Sequence, residues 1–428
     1  MKKHLMATTA LVAGGLIAGV AQAAEPIKLT LGGYITTGLS VRVQDNVATP
    51  AGADDRVYTT ALVTNAAGAT VGIPTTTELG TTDQFWEAEV WFVGETTLDN
   101  GIKVGVNIQL EAYTSADQVD EHYIYVQGGF GRLVVGAENS AAYIMHYSAP
   151  SPTGGQFGAD SPNLVPFRGG PANRVGNTVR TFMQLTSDAN KITYYTPRFA
   201  PGFQFGISYT PDDDAPQGTQ LVNGAGNCRG GCAFDAGNGI SDNEQTNHFH
   251  FIEAGANFVR SINGVDLAFD VGFGTGFVEH QNRSGTVTGL DRTLKQRYSA
   301  SAGFNVGYAG WTFGVGALWD NLGQQGPNNR YDIVGGVTYG AGPWLVGANV
   351  GYALQQDGER LVSHPVTNSV LVRRTNDTLL YGEIGGQYTL GPGIRVFSVV
   401  NFSIAEGNNT ATEETNGVAW STGFRLSF

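Results

Sequence analysis

In the last thirteen residues, Asn416 to Phe428, apolar and small or polar side chains alternate. Val418, Trp420, Thr422, Phe424, Leu426 and Phe428 share one parity, and Ala419, Ser421, Gly423, Arg425 and Ser427 share the other. Successive side chains of a strand point to opposite faces. One face of this segment suits hydrocarbon and the other, carrying Arg425, suits water. The aromatic terminus suits a membrane boundary. Such a strand belongs in the wall of a water-filled barrel.

The same parity reading predicts fifteen more strands: Lys28 to Val43, Gln84 to Leu98, Ile102 to Tyr113, Glu121 to Gln127, Arg132 to Ala137, Asn190 to Pro197, Gly202 to Thr210, His248 to Arg260, Val265 to Val278, Gln296 to Tyr308, Trp311 to Asp320, Arg330 to Tyr339, Pro343 to Leu354, Asp377 to Leu390 and Ile394 to Ile404. Short turns such as Asp99-Asn100-Gly101, Asn263-Gly264 and Ala309-Gly310 alternate with long connections near residues 44–83, 114–120, 138–189, 211–247, 279–295, 321–329, 355–376 and 405–416. Tight two-residue turns of this chemistry join hairpins. Short turns on one side and long loops on the other are the pattern of an outer-membrane barrel. The expected fold is therefore all-β, a 16-stranded antiparallel transmembrane barrel with both termini on the short-turn, periplasmic side. A soluble sandwich is the alternative, but it has little use for aromatics at strand ends. Trp86, Trp311, Trp319, Trp344, Trp420, Tyr298, Tyr308, Tyr339, Tyr352, Tyr388 and Phe428 all fall on the apolar parity, as an interfacial girdle requires.

The start of the chain supplies an address. Met1-Lys2-Lys3-His4 is basic, Leu5 to Val20 is apolar, and Ala21-Gln22-Ala23 is a small-x-small cleavage site, so residues 1–23 read as a signal peptide and 24–428 as the barrel domain. Gly accounts for 61 of 428 residues, about twice the usual ~7% share. Beyond the leader no long uncharged apolar run remains, which excludes a helical membrane protein. Without Lys2 and Lys3 the chain carries 22 basic and 37 acidic residues, a net charge near −15, which excludes nucleic acid as a partner.

No motif for catalysis emerges: there is no Gly-x-Ser-x-Gly, no His-Glu-x-x-His and no phosphate-binding loop, and the histidines show no local grouping. The expectation is a non-enzyme with no cofactor and no metal. Cys228 and Cys232 fit a small disulfide in an exported chain, with a metal site as the alternative. Asp212-Asp213-Asp214 reads as a solvated acidic loop before it reads as a calcium site.

With the strands placed, the chain resembles the 16-stranded general porins of Gram-negative outer membranes, especially the alphaproteobacterial type. The likeness rests on Leu31 to Leu39, Tyr125 to Ser140, Asn190 to Pro211 and Gly423 to Phe428. The resemblance implies a homotrimer in outer-membrane lipid and lipopolysaccharide, passive diffusion of small hydrophilic solutes and ions, and a third loop folded into the lumen as constriction. It also implies that Phe428 belongs to a C-terminal assembly signal. The third loop would span 138–189, with charges Glu138, Asp160, Arg168, Arg174, Arg180 and Asp188. Lumen parity supplies Arg42, Lys103, Arg132, Arg297, Arg395 and Arg425 as basic wall candidates, and Glu87, Glu89, Glu111, Glu121, Glu253, Asp270 and Glu383 as acidic ones. As many arginines as acids in the loop predicts weak discrimination between cations and anions. A substrate-specific channel is the alternative, followed by a barrel adhesin or a membrane-embedded hydrolase.

Overall fold

The computed structural model describes residues 26–44, 56–64, 70–78, 81–113, 119–167, 178–212, 248–278, 295–323, 328–363, 370–406 and 415–428. The leader, Cys228, Cys232, Asp213, Asp214, Arg168 and Arg174 lie outside the described residues. Eighteen strands are described: β1 Lys28–Gln44, β2 Arg56–Thr64, β3 Thr70–Glu78, β4 Thr82–Thr97, β5 Lys103–Glu111, β6 Val119–Gly128, β7 Gly131–Ala137, β8 Asn190–Tyr195, β9 Phe203–Asp212, β10 Phe249–Ile262, β11 Val265–Phe277, β12 Arg297–Tyr308, β13 Trp311–Asp320, β14 Arg330–Ala341, β15 Trp344–Ser363, β16 Val370–Gly391, β17 Ile394–Glu406 and β18 Thr415–Ser427.

All except β2 and β3 form one closed antiparallel barrel of sixteen strands, in which each strand pairs with its neighbours in sequence and β1 closes the ring against β4 and β18. The seam is fastened at its short-turn end by reciprocal backbone hydrogen bonds, Gly33 N–H to Phe428 O at 3.1 Å and Phe428 N–H to Gly33 O at 3.0 Å. Closure leaves no strand edge, the condition for spanning a bilayer with strands. Among the described residues no helix is long and apolar enough to cross a membrane.

Each of the sixteen expected strands is present, with ends that move by a few residues except in β15 and β16, which run further. The register confirms the faces: Val418, Trp420, Phe424 and Leu426 are exposed on the outside, while Ala419 and Ser421 are buried inside. Asn263 and Gly264 both have positive φ, as do Ala309 and Gly310, so these hairpins turn with the twist their strands need. Outward aromatics pair near the short turns, Trp311 with Tyr339 at 4.7 Å and Trp344 with Tyr388 at 4.6 Å between ring centroids. They form part of the expected girdle.

Two long connections differ from expectation. Residues 44–83 are not simply a loop, since β2 and β3 pair there as a separate hairpin. Residues 355–376 are mostly a continuation of β15 and β16, which stay paired from Arg360 to Arg373 and from Ser363 to Val370. Beyond the bilayer both faces of a hairpin meet water, so the alternation that marks a spanning strand disappears while backbone pairing persists.

Candidate pore constriction

The segment between β7 and β8 folds inward and follows the inner wall. It opens with a short helix, α1 (Ala141–Ile144), whose N-cap Ser140 accepts from Tyr143 N–H and donates to Glu253 of β10 at 2.9 Å. Ala141 N–H reaches Ser208 Oγ of β9 at 2.8 Å. Asp270 of β11 then accepts from Tyr147 N–H at 2.7 Å and pairs with His146 Nδ1 at 2.9 Å. On β15, Asn349 donates to Pro150 O at 3.2 Å and accepts from Ala159 N–H at 2.8 Å. Glu383 of β16 accepts from Thr153 at 2.8 Å, and Asn401 of β17 donates to Phe157 O at 2.9 Å. The path ends with Asn163 donating to Glu87 of β4 at 2.9 Å and Arg42 of β1 donating to Pro166 O at 3.2 Å. On the return, Thr186 donates to the second oxygen of Glu253 at 2.6 Å.

Apolar contacts reinforce this polar seam. Met183 and Leu185 of the loop pack on inward-facing Phe251 and Leu318, and Phe157 packs on Phe397 and Val399. Ala159, Phe167 and Val179 cover Val334, Leu379 and Tyr381. Burying these side chains removes apolar surface from the aqueous lumen, a general driving force for docking the loop.

The acidic wall residues thus serve largely as loop anchors: Glu87, Glu253, Asp270 and Glu383 each accept a bond from the loop. Glu121 accepts from Gln109 and from Asn139, the latter at 3.0 Å. Of the basic wall residues, Lys103 pairs with Glu95 at 2.7 Å, and Arg132 lies 4.4 Å above the Tyr125 ring. Arg297 pairs with Asp320 at 2.7 Å, and Arg425 lies 3.8 Å above Tyr34. Arg395 faces Arg425 across the β17–β18 ladder. Arg180 reaches Gln184 at 3.3 Å, while its N–H bonds Asp332 at 3.1 Å. Asp160 binds Ser148 and Thr181 within the loop.

His146 was not singled out by the sequence. It lies between Asp270 and Thr181 Oγ1, each at 2.9 Å, the order of a hydrolytic triad. However, Thr181 is fully buried and its hydroxyl also engages Asp160 and Ser148. The trio clips the two arms of the loop to β11.

Burial pushes the Glu138 carboxyl up to about 8, with repulsion from Glu121 adding to it and Arg132 and Lys191 opposing it. A carboxyl raised from an ordinary 4.5 holds its proton in the folded state across a window where the unfolded chain releases it. Stability from this group is therefore full below pH ~4.5 and falls as pH rises through about 8. Thermal unfolding followed from pH 5 to pH 9 should show a decline across this window. Glu138→Gln should flatten that decline, and an unchanged slope in the variant would exclude Glu138 as its source.

A closed sixteen-strand barrel with an apolar exterior and a loop folded against a polar interior defines a transmembrane channel. A family model described as Gram-negative porin matches residues 7–411. The chain belongs to that family, and it is an outer-membrane channel for passive diffusion. No curated protein matches it. Among solved structures it is similar to the outer membrane channel DcaP of Acinetobacter baumannii, at 11% identity and TM-score 0.52, covering 94% of this chain and 98% of that one. It is also similar to the in-vitro folded trimer form of OmpT of Vibrio cholerae, at 13% identity and TM-score 0.50, covering 94% of this chain and all of that one. Likeness at such identities speaks for the fold.

Proposed function

We propose that the third loop, 138–189, sets the constriction of a weakly selective pore for small hydrophilic solutes and ions, without enzymatic activity. The carrying observation is the loop's run of bonds to the inner wall from β10 round to β1. A loop tied to the wall narrows the passage to a fixed width, and charges on its free edge act on permeating ions at close range, whereas charges outside the lumen are screened beyond ~8 Å at physiological salt.

In this reading Arg168, Arg174 and Arg180 offset the acids, and Arg42, Lys103, Arg132, Arg297, Arg395 and Arg425 add a basic wall opposed by Glu138 and Asp160. The mature channel comprises 24–428 after removal of 1–23, and assembles as a homotrimer in outer-membrane lipid and lipopolysaccharide. Phe428 ends the assembly signal, and Cys228 and Cys232 close a small disulfide. Planar-bilayer reversal potentials test the selectivity. Replacing Arg168, Arg174 and Arg180 by glutamine should shift the pore toward cations, and an unmoved potential would remove the loop from the constriction.

A further inference from the structure

The neck of the third loop is closed by a side chain from β8. Lys191 is 3% exposed, and its ammonium donates to Glu138 O, to Ser187 O at 2.7 Å and to Ala189 O at 2.6 Å. Glu138 opens the loop 53 positions upstream of the lysine, while Ser187 and Ala189 lie at the loop's far end. A lysine has three N–H donors and no acceptor, so each of its donors goes to a backbone carbonyl. The ladder pairs Gly136 with Lys191 and Ala137 with Asn190, which sets the side chain between the two arms. On the returning arm Ser187 has φ of 41°, and Ala189 N–H bonds Thr186 O at 2.9 Å. This turn aims two carbonyls at one point.

An acid from a different strand mirrors the lysine. Glu253 of β10 takes Ser140 of the outgoing arm on one oxygen at 2.9 Å and Thr186 of the returning arm on the other at 2.6 Å. The carboxyl groups of Glu253, Asp188, Glu138 and Glu121 all act on the Lys191 ammonium through space, Glu253 most strongly. Two side chains of opposite charge thus each hold both arms. Most other wall bonds fix one point of one arm, whereas these tie the arms to each other. Removing the ammonium leaves three buried carbonyls without that donor, and a buried acceptor without a partner keeps its desolvation cost.

We propose that Lys191 is a positioning residue for the pore, a tethered cation that clasps the two arms of the third loop at their root and holds the constriction at one fixed opening. The proposal rests on the reading of this loop as the constriction. Glu253 completes the clasp from the facing strand.

The test uses purified full-length protein, refolded and checked for heat-modifiable migration, with two independent readouts: single-channel current in planar bilayers, and protease cuts inside 138–189 compared with wild type. Lys191→Met keeps the chain length and loses the charge and the donors. It should raise the rates of partial closure and of cutting roughly tenfold or more, since a single charge-assisted hydrogen bond is worth that factor. Lys191→Ala leaves room for the missing end of the side chain. Refolded in propylammonium chloride it should return to wild-type current and cutting, and in tetramethylammonium chloride, which brings the charge without an N–H donor, it should not. Arg260→Gln, which removes one positive charge from the exposed end of β10, should behave as wild type. A steady and uncut Lys191→Met channel, equal behaviour of Lys191→Ala in the two salts, or equal disturbance by Arg260→Gln would overturn the clasp. If Lys191→Met does not fold, recovery of folded Lys191→Ala in propylammonium alone supports the clasp, and recovery in neither salt overturns it. A wild-type protein that conducts nothing would instead overturn the pore, and the protease readout would still decide the clasp.

Discussion

Replacing Ile384 by arginine should destabilise the barrel by about 2–4 kcal/mol, whereas the same change at Gln387 on the same strand should leave it close to wild type. Ile384 is 59% exposed on the outer face of β16, seven residues before the turn-side end at Gly391. At a rise of about 3.3 Å per residue and a tilt near 45°, that places it roughly 16 Å from the turn, close to the middle of an apolar band about 25 Å tall. An arginine there must bring its charge into hydrocarbon or distort the bilayer to reach water. Gln387 faces the lumen opposite Phe397, where a cation stays hydrated. Denaturant unfolding of both variants in lipid vesicles, followed by tryptophan fluorescence, measures the difference. Equal loss at the two positions would mean that the faces of β16 are misassigned.

The bilayer is also the reason so much of the barrel could be read from the sequence. A lipid-facing wall forces period-two alternation on every spanning strand, and Val418 to Leu426 or Leu29 to Val43 carry it plainly. Where that constraint ends, so does the signal: β2 and β3, and the outer reaches of β15 and β16, have no lipid side to advertise. The inner wall carries a signal of the opposite kind. In β17, Val396, Phe397, Val399 and Val400 are apolar on both parities, which a strand facing only water inside does not need. Phe397 and Val399 are apolar because the loop lands on them. Such two-sided strands were the available clue to the loop's seat.

The charges of the candidate site were legible as to face but not as to partner. Parity placed Glu253, Asp270 and Glu383 inside as acidic wall residues but named no partner for them. Each is almost fully buried and holds the loop, so little of that charge is presented to permeating ions. His146 and Asn349 were missed because their importance arises only when residues 124 and 190 positions apart in the chain meet. A scattered histidine has no local pattern to reveal it.

A second large effect should follow from the substitution Gly303→Val on β12. Gly303 faces inward, and a Cβ there would overlap the Tyr147 carbonyl oxygen and crowd Asp270 Oδ1, the acceptor of the Tyr147 N–H. The overlap is with backbone, so no side-chain rotation relieves it. Valine is itself favourable in a strand, and the barrel wall has no reason to yield. The loop should therefore leave this part of its seat, breaking bonds to a buried carboxylate that are each worth about 1.5–3 kcal/mol. Folded, heat-modifiable barrels should persist, with new protease cuts inside 138–189 and a higher single-channel conductance. Gly335→Val supplies the control, because nothing lies within 4 Å of a Cβ at that position. If Gly303→Val keeps the loop protected, the seat on β11 and β12 is wrong. If the loop comes loose and conductance does not rise, the loop is docked as described but the narrowest point of the pore lies elsewhere.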